Sequence, residues 1–285
     1  MKKYLLIAVA TIVIALGGIY FYLMSGLDPA VPESELTGRE PKFTTPRKEI
    51  LPSVKIAKPI GWAAGAAPKA VGGLPVVRFA EGLDHPRSLY RLPNGDVLVA
   101  ESRAPEKEAR GITDWVQGKL MGAAGATGKS ANRITLLRDG NGDGKAEGHF
   151  PFLTGLNSPY GMALVGDTLY VANTDSLMAF PYKDGDTQIV AAGRKVSNLP
   201  ANAPNYHWTK SLAASPDGKL YVGIGSNSNI AENGLDPEDN RALVMEIIPK
   251  EGSANIFASG LRNPTDLAWN PWTGELWAVV NERDM

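Results

Sequence analysis

The sequence predicts an all-β fold of the β-propeller class, because one pattern of strands and turns recurs four times. In each copy an apolar residue stands in a short strand, a glycine-containing turn follows, and an alternating apolar strand comes next. The copies, aligned on Leu89, Met162, Leu212 and Leu267, start 73, 50 and 55 residues apart. Repeats of about 40 to 50 residues with four strands each are typical of propeller blades.

Two further apolar strands are predicted in each complete unit: 133–138 with 149–153, 177–182 with 188–192, and 242–248 with 255–258. The longer first interval holds an insertion at 103–132, which is either a flap or a surface loop. The fourth unit has two strands, so about three and a half blades are present, and an open ring leaves a strand edge uncovered. Truncation, a partner chain that completes the ring, and a smaller ring closed by the N-terminal region are three open explanations, of which we favour truncation.

The N-terminal region predicts a membrane-targeted chain. Residues 4–24 carry no charge and would form about 31 Å of helix, enough to cross a bilayer core. We favour an uncleaved inner-membrane anchor over a signal peptide, because the apolar run is long and ends in bulky residues. Lys2 and Lys3 then stay in the cytoplasm, which places the domain in the periplasm or outside the cell. Residues 25–74 form a proline-rich spacer, and the propeller domain spans 75–285.

The composition limits the classes of function. The chain has 285 residues, 44% of them hydrophobic, which suffices for one sizeable globular domain. Its 29 basic and 30 acidic residues argue against nucleic-acid binding, which needs a basic excess. The absence of cysteine excludes a disulfide scaffold and thiol chemistry.

Polar residues precede the first strand of every unit. The segment that leads into the innermost strand of a blade lies at the mouth of the central channel, so these side chains should meet at one place. His207 and Arg262 carry chemistry that a turn does not need, and we expect them in a functional site. The set comprises Asp84, Asn157, His207 and Arg262 five residues before the aligned position, and His85, Ser158, Trp208 and Asn263 four before it.

An acidic loop between two predicted strands resembles part of a calcium-binding loop. Oxygen ligands stand at loop positions 1, 3, 5 and 9, with a glycine at position 6. Position 12 is Phe150 instead of glutamate, and an acidic turn needs the same residue types for its backbone angles. A structural calcium clip and a plain acidic turn are therefore both open. The candidate ligands are Asp139, Asn141, Asp143 and Glu147.

Several stretches resemble the sorbosone dehydrogenase family, propeller enzymes related to soluble sugar dehydrogenases that depend on pyrroloquinoline quinone. The resemblance implies a six-bladed propeller that binds this quinone and Ca²⁺. It implies His207 as the general base, Arg262, Asn263 and Lys210 as cofactor-binding residues, and Glu282 and Asp284 near the calcium. The stretches are Gly155-Leu-Asn-Ser-Pro-Tyr-Gly-Met-Ala163, His207-Trp-Thr-Lys210, Gly225-Ser-Asn-Ser-Asn-Ile-Ala-Glu-Asn233, Glu238-Asp-Asn-Arg-Ala242, Gly260-Leu-Arg-Asn-Pro264 and Asn281-Glu-Arg-Asp284.

The first functional hypothesis is therefore oxidation of a sugar or aldose, with electrons passing to a respiratory quinone or another acceptor. Tyr206 stands where relatives have an aspartate before the base, so the resemblance does not identify the group that orients the His207 imidazole. A non-catalytic propeller outside the membrane that binds a carbohydrate or a protein is the alternative. A propeller lactonase or similar metal hydrolase is a third hypothesis.

Overall fold

The computed structural model describes residues 2–25, 32–40, 59–63, 65–106 and 111–282. The chain divides into two compact units. One comprises Met1–Ile60, Arg110–Ala126 and Met285, and the other comprises Gly61–Ala109 and Thr127–Asp284. The first unit contains α1 (Lys2–Ser25), α2 (Glu33–Leu36) and α3 (Ile112–Ala123). Helix α3 lies within the predicted insertion, which is therefore partly helical.

Helix α1 coincides with the predicted apolar segment. Within the described ranges it is the one helix that is long and apolar enough to cross a membrane, over Lys2–Phe21, and none of that stretch is buried. A membrane anchor and a signal sequence share this length and composition. The structure thus confirms the helix, and anchoring stays a prediction.

The second unit consists of antiparallel sheets whose strands follow one another in sequence order. Sheet A contains β1 (Pro86–Arg91), β2 (Val97–Glu101), β3 (Arg133–Arg138) and β4 (Gly148–Leu153). Sheet B contains β5 (Gly161–Val165), β6 (Thr168–Ala172), β7 (Ser176–Pro181) and β8 (Arg194–Asn198). Sheet C contains β9 (Lys210–Ala214), β10 (Leu220–Ile224), β11 (Leu243–Ile248) and β12 (Ser253–Ser259). Sheet D contains β13 (Pro264–Trp269) and β14 (Leu276–Val280).

The predicted repeat is present, with one error. The aligned residues Leu89, Met162, Leu212 and Leu267 all stand in the first strand of their sheets. The strand predicted at 188–192 is wrong, since this segment forms no strand. Instead, the backbone N–H of Ile189 donates to the carbonyl of Phe152 in sheet A, 2.9 Å away. The fourth strand of sheet B is instead the more polar β8, which pairs with β7 through its backbone.

Alternation along the strands buries both faces of the inner sheets. In β6, Leu169 packs into a core shared with sheet A, and the next residue, Tyr170, packs into a core shared with sheet C. Successive side chains of a strand point to opposite faces, so one strand serves two cores. A third core joins sheets C and D through residues such as Tyr221 and Leu267. This face-to-face stacking is the packing expected of propeller blades.

The outer faces of sheets A and D carry exposed apolar residues. Leu89 of β1 is 68% exposed, and Trp277 and Val279 of β14 are 62% and 66% exposed. Over the described residues, no strand pairs with the second edge of β14. In the described part of the chain, sheet D therefore has two strands where sheets A, B and C have four.

The close approach of β5 to β9 generates a prediction about stability. A Cβ atom on Gly161 would lie 2.6 Å from the backbone N of Leu212 and 2.6 Å from the backbone O of Lys210. These backbone atoms have little room to shift, so Gly161→Ala should lower the free energy of unfolding by about 1–3 kcal/mol or more. Denaturant titration measures the change. Gly72→Ala is the control, because no atom lies within 4 Å of its Cβ position. Unchanged unfolding of Gly161→Ala would contradict the packing described.

Candidate functional site

The segments that carry His207 and Arg262 meet at a single residue, Ser226. The backbone N–H of Ser226 donates to the carbonyl of Arg262 at 2.7 Å. The carbonyl of Ser226 lies 2.8 Å from Nδ1 of His207. The residues leading into β9 and β13 are thereby joined through Ser226, in the loop after β10. The structure thus brings these two predicted site segments together.

The hydrogen bonds of His207 define its tautomer. A carbonyl oxygen only accepts, so Nδ1 must carry the proton that it donates to Ser226. The Ser226 hydroxyl lies 3.0 Å from the same nitrogen and donates onward to the carbonyl of Ser228 at 2.7 Å. In the neutral ring, Nε2 is then the basic nitrogen. The half-buried His207 therefore has the geometry of a general base whose other nitrogen is held by the main chain.

Glycine is required between these groups. A Cβ atom on Gly225 would lie 2.5 Å from Cβ of His207 and 2.6 Å from Oδ1 of Asn263. Asn263 is only 8% exposed, and its Oδ1 is buried without a hydrogen-bond partner. An unsatisfied buried acceptor costs about 1–3 kcal/mol, and such groups are often sites of function. Asn263 therefore offers an acceptor beside His207.

The guanidinium of Arg262 binds two loops. Its Nε donates to the carbonyl of Asn229 at 2.8 Å, and its Nη2 donates to Oδ1 of the same residue at 3.3 Å. Its Nη1 donates to the carbonyl of Asn281 at 3.1 Å. The side chain thus joins the loop after β10 to the residue that follows β14, and its contact with a cofactor stays a prediction.

Lys210 is completely buried behind the segment that carries His207. Its Nζ donates to the carbonyl of Trp208 at 3.2 Å, and the hydroxyl of Thr174 donates to the same oxygen at 2.9 Å. Burial, together with a smaller effect of the Arg241 cation, lowers the pKa of Lys210 to about 7, and Asp175 partly opposes this shift. In this position Lys210 acts on the site through the backbone of Trp208. Its predicted role in cofactor binding remains untested.

The side chains of Arg241 and Glu238 form a network of hydrogen bonds with the segments around His207, called here the brace. Nη1 of Arg241 donates to Oδ1 of Asn205 at 2.9 Å, and Nη2 donates to Oδ1 of Asn202 at 3.1 Å. The carboxylate of Glu238 accepts the backbone N–H groups of Asn227 and Ser228 at 2.6 and 3.0 Å. These bonds hold the segment before His207 and the loop after β10 in fixed positions. The brace is structural support for the site.

The sequence reasoning missed two residues, Arg87 and Tyr160, that lie near the starts of β9 and β13. Cζ of Arg87 lies 5.4 Å from the centroid of the Trp208 ring, which follows His207 directly. The Tyr160 hydroxyl donates to the carbonyl of Thr265 at 3.3 Å. Burial raises the pKa of Tyr160, Arg87 opposes this rise, and Asp266 adds to it. A cavity of about 640 Å³ runs along β1, β5, β9 and β13, and Tyr160 is one of the residues that line it.

The acidic loop brings three carboxylates together between β3 and β4. Ligand oxygens of Asp139, Asp143 and Glu147 all lie within 4.8 Å of one another. Asp139 accepts the backbone N–H groups of Gly142 and Gly144, and that of Gly144 is the largest cause of its lowered pKa. Glu147 accepts from the Asn141 amide at 2.9 Å. The four predicted ligands thus cluster on a strand connection. Of the second predicted pair, Glu282 is exposed, and Asp284 lies outside the described residues.

The buried lysine generates a pH-dependent prediction. The pKa of Lys210 is lower in the folded chain than its ordinary value of 10.5, so folding costs free energy while the unfolded chain holds this proton. This cost in folding free energy is largest below pH 7, and it disappears as the pH rises from about 7 to 10.5. Lys210→Met should therefore raise the free energy of unfolding by a few kcal/mol at pH 6, and the gain should shrink towards pH 10. Denaturant titrations across this range test it, with exposed Lys195→Met as the control. A pH-independent difference would contradict it.

Comparison with known proteins places the chain in a family. A family model described as TrAA12-like matches residues 68–285. No curated protein sequence matches the chain. The matches do not confirm the sorbosone dehydrogenase family that the sequence motifs resemble.

Solved structures with low sequence identity to the chain also match it. A Trichoderma reesei carbohydrate-active enzyme of family AA12, in an iodide structure, is 19% identical with a TM-score of 0.58, covering 76% of this chain and 51% of its own. The holo pyranose dehydrogenase PQQ domain from Coprinopsis cinerea is 16% identical with a TM-score of 0.53, covering 71% and 45%. The calcium structure of the Trichoderma reesei enzyme is 18% identical with a TM-score of 0.54, covering 71% and 47%. The chain therefore spans about half the length of these proteins and shares their fold. Because the matching family model covers most of its length, the chain belongs to the TrAA12-like family.

Proposed function

We propose that this chain oxidises a sugar or aldose with pyrroloquinoline quinone as cofactor and His207 as the general base. The observation that carries the proposal is the hydrogen bond from Nδ1 of His207 to the Ser226 carbonyl, beside the unpartnered Oδ1 of Asn263. Membership of the TrAA12-like family supports it. So does the likeness in fold to a PQQ domain of a pyranose dehydrogenase.

The role of His207 follows from its tautomer. Nε2 accepts the proton of the anomeric hydroxyl, while the hydride leaves the anomeric carbon with its bonding electron pair. The Ser226 carbonyl stabilises the imidazolium that forms, because its dipole points its negative end at the Nδ1–H. Histidine suits the step because its proton affinity lies near physiological pH.

The residues around His207 fit a flat polar cofactor. Oδ1 of Asn263 is buried and lacks a donor, so a ligand N–H or hydroxyl would satisfy it after the amide rotates towards the cofactor. Gly225 keeps the space between His207 and Asn263 free of a side chain. Arg262 adds positive charge, which suits the carboxylates of the quinone. The buried Lys210 would act on the cofactor indirectly, through its hydrogen bond to the Trp208 carbonyl. When bound, the quinone would supply the hydride acceptor.

Calcium has two proposed locations. The loop with Asp139, Asp143 and Glu147 offers carboxylate oxygens, the ligands that Ca²⁺ prefers, and Asn141 adds an amide oxygen. Glu282 and Asp284 would be the second location, because the sequence resemblance implies calcium near this pair. The first would tie β3 to β4, and the second would help to hold the cofactor.

The cellular setting belongs to the same proposal. Helix α1 would anchor the chain in the inner membrane, with the sheets in the periplasm or outside the cell. Electrons would then pass to a respiratory quinone or another acceptor at the membrane. The sugar substrate would come from outside the cytoplasm.

Replacement of the base tests the proposed function. His207→Gln should lower the rate of dye-linked aldose oxidation, measured with added quinone and Ca²⁺, by about 10²- to 10⁴-fold. Quinone affinity, measured by quenching of protein fluorescence, should change little. His149→Gln is the control, because His149 is an exposed residue of β4 in sheet A. A wild-type chain that binds no quinone, or a His207→Gln variant with full activity, would overturn the proposal.

Neutralising one carboxylate of the acidic loop tests whether this loop binds a structural Ca²⁺. Ca²⁺ at 100 times its dissociation constant should raise the free energy of unfolding by about 2.7 kcal/mol. Asp143→Asn keeps an acceptor for the Lys145 N–H, so it removes charge with little change to the loop. We expect this variant to need at least tenfold more Ca²⁺ for the same thermal shift. Asp186→Asn, outside the loop, is the control. Equal shifts in the wild type and Asp143→Asn would place the ion elsewhere.

A further inference from the structure

Helix α3 has an apolar face that is exposed. Ile112, Trp115 and Val116 are 82%, 57% and 42% exposed. They stand at positions i, i+3 and i+4 of a helix, so they share one side of it. Gln117, which is also exposed, lies on the other side. The helix is therefore amphipathic, and the described residues leave its apolar face uncovered.

The side chains of this face suit the boundary between a bilayer and water. Nζ of Lys119 lies 5.9 Å from the centroid of the Trp115 ring, one turn along the same side of the helix. Tryptophan is enriched at membrane interfaces, because its ring is apolar and its N–H is polar. A lysine beside it buries its aliphatic stem and keeps its ammonium group among the lipid headgroups. This combination is typical of helices that lie in the interface.

Helix α3 belongs to the same compact unit as the apolar helix α1, and not to the unit of the sheets. A Cβ atom on Gly125, two residues after α3, would lie 3.2 Å from Cγ of Pro59. The end of α3 therefore contacts the spacer that follows α1. Helix α1 has the length and composition of a membrane span, and none of that stretch is buried. A candidate span and an uncovered amphipathic helix in one unit point to a membrane as the partner of both.

We infer that α3 lies in the interface of a lipid bilayer, with Ile112, Trp115 and Val116 among the lipid chains and Gln117 facing water. The helix is part of the connection between β2 and β3. It would therefore attach the chain to the membrane at a second point, far in sequence from α1. The inference rests on the membrane setting of the proposed function, and it is independent of the quinone chemistry.

Fluorescence labelling of the full chain in vesicles of phosphatidylcholine and phosphatidylglycerol tests the inference. The chain contains no cysteine, so a single introduced cysteine alone takes up the dye NBD. Ile112→Cys is compared with Gln117→Cys, the matched control on the other side of the same helix. We expect phosphatidylcholine with a nitroxide on its acyl chain to quench the label at position 112 at least about threefold more than the label at 117. Iodide in the water should quench the two labels in the reverse order.

A negative charge on either side of the helix tests whether apolar contact with lipid holds it. In the labelled Ile112→Cys chain, Trp115→Glu should lower quenching by the nitroxide lipid at least about threefold, because burying a carboxylate among lipid chains is unfavourable. Gln117→Glu adds the same charge on the side that faces water and should leave the quenching unchanged. Equal lipid quenching of the labels at 112 and 117 would overturn the inference, as would quenching that Trp115→Glu does not lower.

A third label, at Ile12→Cys within α1, separates this inference from the proposed anchor. Lipid quenching at position 112 without quenching at position 12 would overturn the anchor alone. Quenching at position 12 without quenching at 112 would overturn the inference alone. A label at 112 that neither the lipid nor iodide reaches would mean that protein covers this face, and it would also overturn the inference. Circular dichroism of each variant shows whether it is folded.

Discussion

The constraint on which the rest of the structure depends is that sheets B and C bury both of their faces. Alternation of side chains sends consecutive residues of one strand into different cores, as Leu169 and Tyr170 do. Sheets stack in this way only where their innermost strands come close, and Gly161 permits that approach between β5 and β9. The segments that lead into these strands are thereby brought to one place. The candidate site is a consequence of blade packing.

The group that orients His207 is a backbone carbonyl, and this has a chemical consequence. The resemblance described above implies an ionisable aspartate directly before the proposed base, where this chain has Tyr206. A carboxylate changes charge when it is protonated, whereas the Ser226 carbonyl remains an acceptor at every pH. The Nδ1–H tautomer is therefore set by the position of one loop. The carboxylate of Glu238 holds that loop in turn by accepting two of its backbone N–H groups. The ionisable Glu238 therefore affects His207 only indirectly, through the position of the loop.

Alternation and turn residues were enough to predict nearly all the strands, because both are local properties of the chain. They failed at 188–192, where an apolar run packs Ile189 onto a neighbouring sheet. Alignment of the repeats found His207 because it compares the segments before each first strand. It could not find Ser226, which follows a second strand. It also passed over Arg87, since a polar residue inside a strand resembles ordinary solvent-facing alternation. Only the 5.4 Å distance between Cζ of Arg87 and the centroid of the Trp208 ring distinguishes it.

The site joins sheet C, which is covered on both faces, to sheet D, on whose outer face Trp277 and Val279 remain 62% and 66% exposed. Local opening needs less free energy where fewer apolar contacts must be broken, so the Asn263 side should open more easily than the His207 side. The bond between Ser226 and the Arg262 carbonyl is one of the links across this boundary. A ligand that contacts both sheets adds its binding free energy to that link. It would therefore stabilise the half of the site that packing stabilises least.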